Sequence, residues 1–169
     1  MTALQLYRLS GLAALLGGLL RMASALALPL DQIALEALWS GIDVLLTLGL
    51  IGIYLVRAAK LGLLGLNAFV LAIASLSFIG GPDADVFGFS TYEQGAAALA
   101  ISMVGLALAW VRANERPLLA PFAWFASVIA VGVFAALPEP MPSFGFPAAG
   151  VLFGVGFAAA GWDLLRRQG

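Results

Sequence analysis

The chain has 169 residues, of which 63% are hydrophobic and only 10% charged, and it contains neither cysteine nor histidine. Soluble domains carry about 25% charged residues, so lipid rather than water is the main solvent here. Disulfides, thiol nucleophiles, imidazole acid–base pairs and His/Cys metal sets are excluded; no metal or cofactor is expected, and a net charge of −1 gives nucleic acid no electrostatic reason to bind.

A hydrocarbon core of ~30 Å takes about 20 helical residues to cross. Six apolar stretches come near that length, at residues 9–28, 37–56, 61–79, 95–111, 118–137 and 147–165, the fourth being the shortest. Pro29 closes the first, Gly80-Gly81-Pro82 the third and Pro138-Glu139-Pro140 the fifth. Pro117 and Pro147 stand at helix starts, where a missing N–H costs nothing. The runs are continuous rather than alternating, which excludes a transmembrane β-barrel. Arg8, an apolar run and Ala23-Ser24-Ala25 have the outline of a signal peptide, but Arg21 interrupts the run. The first stretch is therefore read as a retained helix.

Of the 8 Lys and Arg, all but Arg21 fall on one side of this topology: Arg8, Arg57, Lys60, Arg112, Arg116, Arg166 and Arg167. Asp31, Glu36, Asp83, Asp85, Glu93 and Glu139 fall on the other. Cytoplasmic loops collect Lys and Arg, so both termini are expected in the cytoplasm. Trp39, Trp110 and Trp162 lie near predicted span ends, at headgroup level, while Trp124 lies deeper and reads as packing.

Arg8, Arg57, Arg112 and Arg166 recur at near-equal intervals, each interval holding one helical hairpin with an acidic outer loop. The expected fold is a single all-α domain over residues 1–169, an integral membrane bundle of six helices in three sequential hairpins. Regular topology alone produces such spacing, so homology between the hairpins does not follow. The loop over residues 138–147 carries four prolines and reads as a stiff connector. In the sixth span Gly150, Gly154 and Ala158 lie four apart, a smooth face that admits another backbone closely. The simplest neighbour for it is a helix of the same chain.

Away from the span ends, Arg21 and Asp43 are the two formal charges inside the predicted spans. An unpaired charge at mid-membrane costs about 2.5–3.5 kcal/mol on insertion scales. Counted from the first outer loop the two reach similar depth, which predicts an Arg21–Asp43 ion pair. Glu36, Ser40, Asp43 and Thr47 recur at helical spacing and form a polar stripe, which Asn67, with Ser75 on the same face, would extend. Two readings remain: a structural pair that fixes helix register, or an outward-facing crevice for a cation, proton or small polar ligand. Asp163 is expected to pair with Arg166 or Arg167 at its helix end, and Glu115 to be an ordinary loop charge. No Asp/Glu spacing matches a calcium loop, and no nucleophile elbow or glycine-rich phosphate loop is present.

The opening Tyr7-Arg8-Leu9-Ser10-Gly11-Leu12-Ala13-Ala14-Leu15-Leu16-Gly17-Gly18-Leu19-Leu20 resembles the start of small polytopic membrane proteins found in many bacteria. That resemblance covers about one helix; it implies a bacterial inner membrane and supplies no activity or site residue. The expected function is therefore a non-enzymatic accessory or interaction subunit of a plasma-membrane complex, with the lipid bilayer and other membrane subunits as partners. The alternative is a small transporter or channel-like protein using the Arg21/Asp43 region.

Overall fold

The computed structural model describes residues 3–26, 28–80, 85–86 and 88–167. Six helices dominate: α1 (Ala3–Ser24), α2 (Gln32–Leu55), α3 (Ala58–Ile79), α4 (Thr91–Arg112), α5 (Leu119–Ala135) and α6 (Gly145–Arg166). A short antiparallel ladder, β1 (Asp85–Val86) with β2 (Phe89–Ser90), lies between α3 and α4. Five helices are long and apolar enough to cross a membrane, and α5, with 17 residues, is the shorter sixth. Asp83, in the long acidic loop, lies outside the described residues.

Local chemistry sets the helix ends. Asp31 caps α2, its Oδ1 accepting the Ala34 amide at 2.8 Å. Ser90 caps α4 in the same way through the Glu93 amide at 3.2 Å, satisfying a donor that a helix start leaves open. That cap starts α4 at Thr91, four residues before the predicted span, so α5 rather than α4 is the shortest helix. In the other direction α1 stops at Ser24, short of residue 28: the Ser24 hydroxyl turns back on the Arg21 carbonyl at 2.9 Å, and the chain turns before Pro29. Gly62, at φ 60° and ψ −163°, breaks the first turn of α3 from the remainder. Only glycine adopts that backbone at little cost.

The hairpins α1/α2, α3/α4 and α5/α6 each pack on themselves, and α1 makes its most extensive contact with α6. The hairpin α3/α4 touches the others more lightly, through α2 and α5. Small residues make the α1–α6 contact possible. A Cβ on Gly18 would come 2.5 Å from the Gly154 carbonyl oxygen and 2.6 Å from the Ala158 amide, and one on Gly161 2.6 Å from the Gly11 carbonyl oxygen. Such backbone approach is what drives helix association where lipid removes the hydrophobic term.

Between the hairpins the interior is filled by Leu46, Leu50 and Ile53 of α2, Met103, Leu106 and Trp110 of α4, Trp124 of α5 and Phe157 and Leu164 of α6. Trp110 meets Trp124 edge-on at 5.7 Å, and Trp124 meets Phe157 at 5.4 Å, geometries that aromatic quadrupoles favour. Tyr54 stacks on Phe69 at 4.2 Å and fastens α2 to α3. Trp39 and Trp162 are exposed, whereas Trp110 is fully buried. Trp110 stands two residues before the end of α4, and the chain uses its indole there as core, for the reason given next.

Candidate functional site

Polar groups concentrate at the end of the bundle where α2 meets α3, α4 meets α5, and α6 finishes. Arg57 stands in the turn between α2 and α3, directly before α3, and is 1% exposed. Its Nη2 donates to Asp163 Oδ2 on α6, and its Nη1 donates to the Ile53 carbonyl at 3.2 Å. The guanidinium lies over the Trp110 ring, with Cζ 3.9 Å from the ring centroid, a desolvated cation–π contact. Its Nε faces Glu115 Oε2 at 3.9 Å without a hydrogen bond. The Trp110 indole N–H in turn donates to the Glu115 carbonyl at 3.1 Å.

Glu115 gathers two further cations. Lys60 Nζ approaches Oε1 at 2.5 Å, and Arg167 Nη2 approaches Oε2 at 3.3 Å. Arg167 also takes Asp163 at 2.7 Å through Nε and the Arg116 carbonyl at 2.7 Å through Nη2. The break at Gly62 and the left-handed Asn114 (φ 50°) shape the two turns that bring Lys60 and Glu115 together. The hydrogen bond from Lys60 holds the Glu115 carboxyl below its ordinary range, against the opposing effect of its burial. Burial pulls the Arg57 guanidinium down to about 10, and repulsion by Arg167 adds to this, while Asp163 and Glu115 act in the opposite sense.

This cluster corrects two expectations. Asp163 does pair with Arg167, but it also reaches the buried Arg57; Glu115 is a buried hub rather than an ordinary loop charge. Arg166 takes no part and lies over the Trp162 ring at 4.9 Å. The signal was present in the sequence: Glu115 and Asp163 are the two carboxylates among the seven cations assigned to this side.

The Arg21–Asp43 ion pair does not form among the described residues. Depth is not the reason. Gly17 of α1 lies against Leu45 and Leu46, and Gly49 of α2 against Ala14, a register that brings Arg21 level with the start of α2's central turns. Azimuth is the reason. The α2 face that meets α1 runs through Leu45, Leu46, Gly49 and Gly52, and at about 100° per residue Asp43 projects to one side of it, so the two heads do not touch although Arg21 still acts through space on the Asp43 carboxylate. Its carboxylate lies beside Gly80 at the end of α3, where a Cβ would be 3.7 Å from Oδ2. Arg21 turns to α6 instead, its Nε 3.7 Å and its Nη2 3.8 Å from a Cβ placed on Gly150.

The rest of the polar stripe does not line an enclosed path. Glu36 and Ser40 are exposed and Thr47 is half-buried; Glu36 accepts from Gln32 Nε2 at 2.7 Å. Asn67 and Ser75 do not share a face. Ser75 is buried and donates to the Leu71 carbonyl at 2.7 Å, while Asn67 is exposed on the outer side of α3. Gly154 and Ala158 face Gly18 of α1, and Gly150 faces Arg21 and Ala25. Among the described residues no group of three or more Asp and Glu could hold a metal ion. No protein-family model, no curated protein and no solved structure matches this chain, so the chemistry of its own side chains carries the functional reading.

Proposed function

We propose that this chain is a non-enzymatic multi-pass protein of a bacterial plasma membrane, with its basic end in the cytoplasm, that serves as a rigid accessory subunit for other membrane proteins. The observation that carries this reading is the clamp at the basic end. A buried guanidinium, two carboxylates and two further cations tie the two links between successive hairpins to the end of α6, over a core filled by Trp110, Trp124 and Phe157. A carrier has to let its parts move against one another around a central site; ends bound in this way favour a fixed shape. The lysines and arginines of that end support its cytoplasmic placement.

A second reading is favoured by one observation. Asp43 presents a carboxylate at the α2–α3 seam with no ion pair or hydrogen bond among the described residues, and ionisable groups inside spans often mark ion or proton paths. One experiment separates the two. The tagged chain is purified in mild detergent and also reconstituted alone into liposomes loaded with a pH-sensitive dye. The accessory reading expects another multi-pass protein at fixed stoichiometry in the first arm and no proton flux in the second. A flux that Asp43→Asn abolishes overturns it in favour of the carrier.

A further inference from the structure

Asn67 sits at the middle of the 22-residue α3, on its outer side. The opposite side of that helix, through Leu61, Gly65, Ala68, Ala72 and Leu76, is buried. Around Asn67 the outer side is apolar: Leu63 is 78% exposed, Val70 56% and Phe78 57%. The Asn67 carboxamide makes no hydrogen bond among the described residues, to its own helix or to another. A primary amide facing hydrocarbon without a partner costs several kcal/mol on transfer scales. Ser77, also exposed on this helix, avoids that cost by donating to the Ile73 carbonyl at 3.1 Å. Asn67 has no such arrangement.

We propose that the outer face of α3 pairs with the same face of a second copy of this chain through Asn67. Two properties select a second copy as the occupant. The carboxamide carries a donor and an acceptor on one group, so it is complementary to itself. In a bilayer all copies share one orientation, so a two-fold axis along the membrane normal places Asn67 of each copy at the same depth. The contact is then isologous, and both amides are satisfied at once. Leu63, Asn67, Val70 and Ala74 follow the alternating three- and four-residue spacing of a parallel helix seam. A single asparagine within such a seam fixes register and favours pairs. This pairing concerns the chain alone and holds or fails independently of any larger assembly.

The absence of native cysteine makes the test direct, since an introduced thiol is the only one present. The full chain is reconstituted into phosphatidylglycerol/phosphatidylethanolamine liposomes at several protein-to-lipid ratios and oxidised with copper phenanthroline. Leu63→Cys and Val70→Cys are expected to give disulfide-linked dimers, and Val44→Cys on α2 and Ile129→Cys on α5 are not. Asn67→Leu is expected to weaken dimerisation, followed by energy transfer between labelled copies, by tenfold or more, and Asn67→Gln to retain most of it. The substitution lies outside the core, and an unchanged melting temperature of the detergent-solubilised monomer verifies folding. Monomers at every ratio, crosslinking through α2 or α5 instead, or equal dimerisation by Asn67→Leu overturns the proposal.

Discussion

Arg57 donates to Asp163 across 106 residues of sequence, and the donor is 1% exposed. Breaking a buried pair by removing one partner is strongly destabilising because the other charge stays behind. Asp163→Ala is therefore expected to lower stability by about 3 kcal/mol, because Arg57 then keeps only the Ile53 carbonyl, the Trp110 ring and the distant Glu115. Replacing both residues, as Arg57→Met with Asp163→Leu, is expected to recover most of the loss. Denaturation of the purified chain in mixed micelles checks both; a double variant no better than Asp163→Ala would refute the account.

Acid should loosen the same cluster. Glu115 is held below its ordinary 4.5 chiefly by the Lys60 hydrogen bond. A carboxylate with a depressed folded-state pKa stabilises above its unfolded value, and that contribution is lost as pH falls through the folded value. The melting temperature is expected to be flat from about pH 7 to 5 and to fall below about 4.5. Glu115→Gln should start lower and show a shallower acid slope. An identical slope in the variant would place the acid sensitivity elsewhere.

Backbone proximity in the α1–α6 contact makes its glycines intolerant of side chains. Gly18→Val would put Cβ 2.5 Å from the Gly154 carbonyl oxygen, forcing the helices apart at a cost of about 1–3 kcal/mol. Gly41→Ala, whose Cβ meets nothing within 4 Å, is expected to be neutral or slightly stabilising through helix propensity. Thermal melts of the two variants side by side decide the point.

Arg21 and Asp43 should couple weakly. Their heads face α6 and α3 respectively and make no direct contact, yet Arg21 still acts through space on the Asp43 carboxylate, so a double-mutant cycle with Arg21→Gln and Asp43→Asn is expected to give a coupling of about 1 kcal/mol or less. A coupling of about 2 kcal/mol or more would restore the ion pair.

Those two residues also show what the sequence made legible. Helix number, hairpin order and the segregation of charge follow from hydropathy and from counting lysines and arginines, and the six helices appear in that order. Depth is likewise countable, because rise per residue is fixed. Azimuth is not: whether Asp43 meets α1 or α3 depends on which side chains of α2 already occupy the α1 seam, and Gly49 and Gly52 take it because they allow the closest approach. The same limit separated Ser75 from Asn67. The cluster at Arg57 was missed for a different reason. Its cations were read as topology markers, and the pairing of Glu115 and Asp163 with them depends on how three loops converge, which spacing within any one helix does not express.

The most extensive helix contact in the bundle joins the first helix to the sixth. During biosynthesis the glycine face of α1 must therefore wait in lipid, or against the insertion machinery, until translation of α6 is complete. Closure of the ring is the last event of assembly. A ribosome stalled before α6 would leave Gly11 and Gly18 uncovered, and a circular permutant joining α6 to α1 would bring their meeting forward.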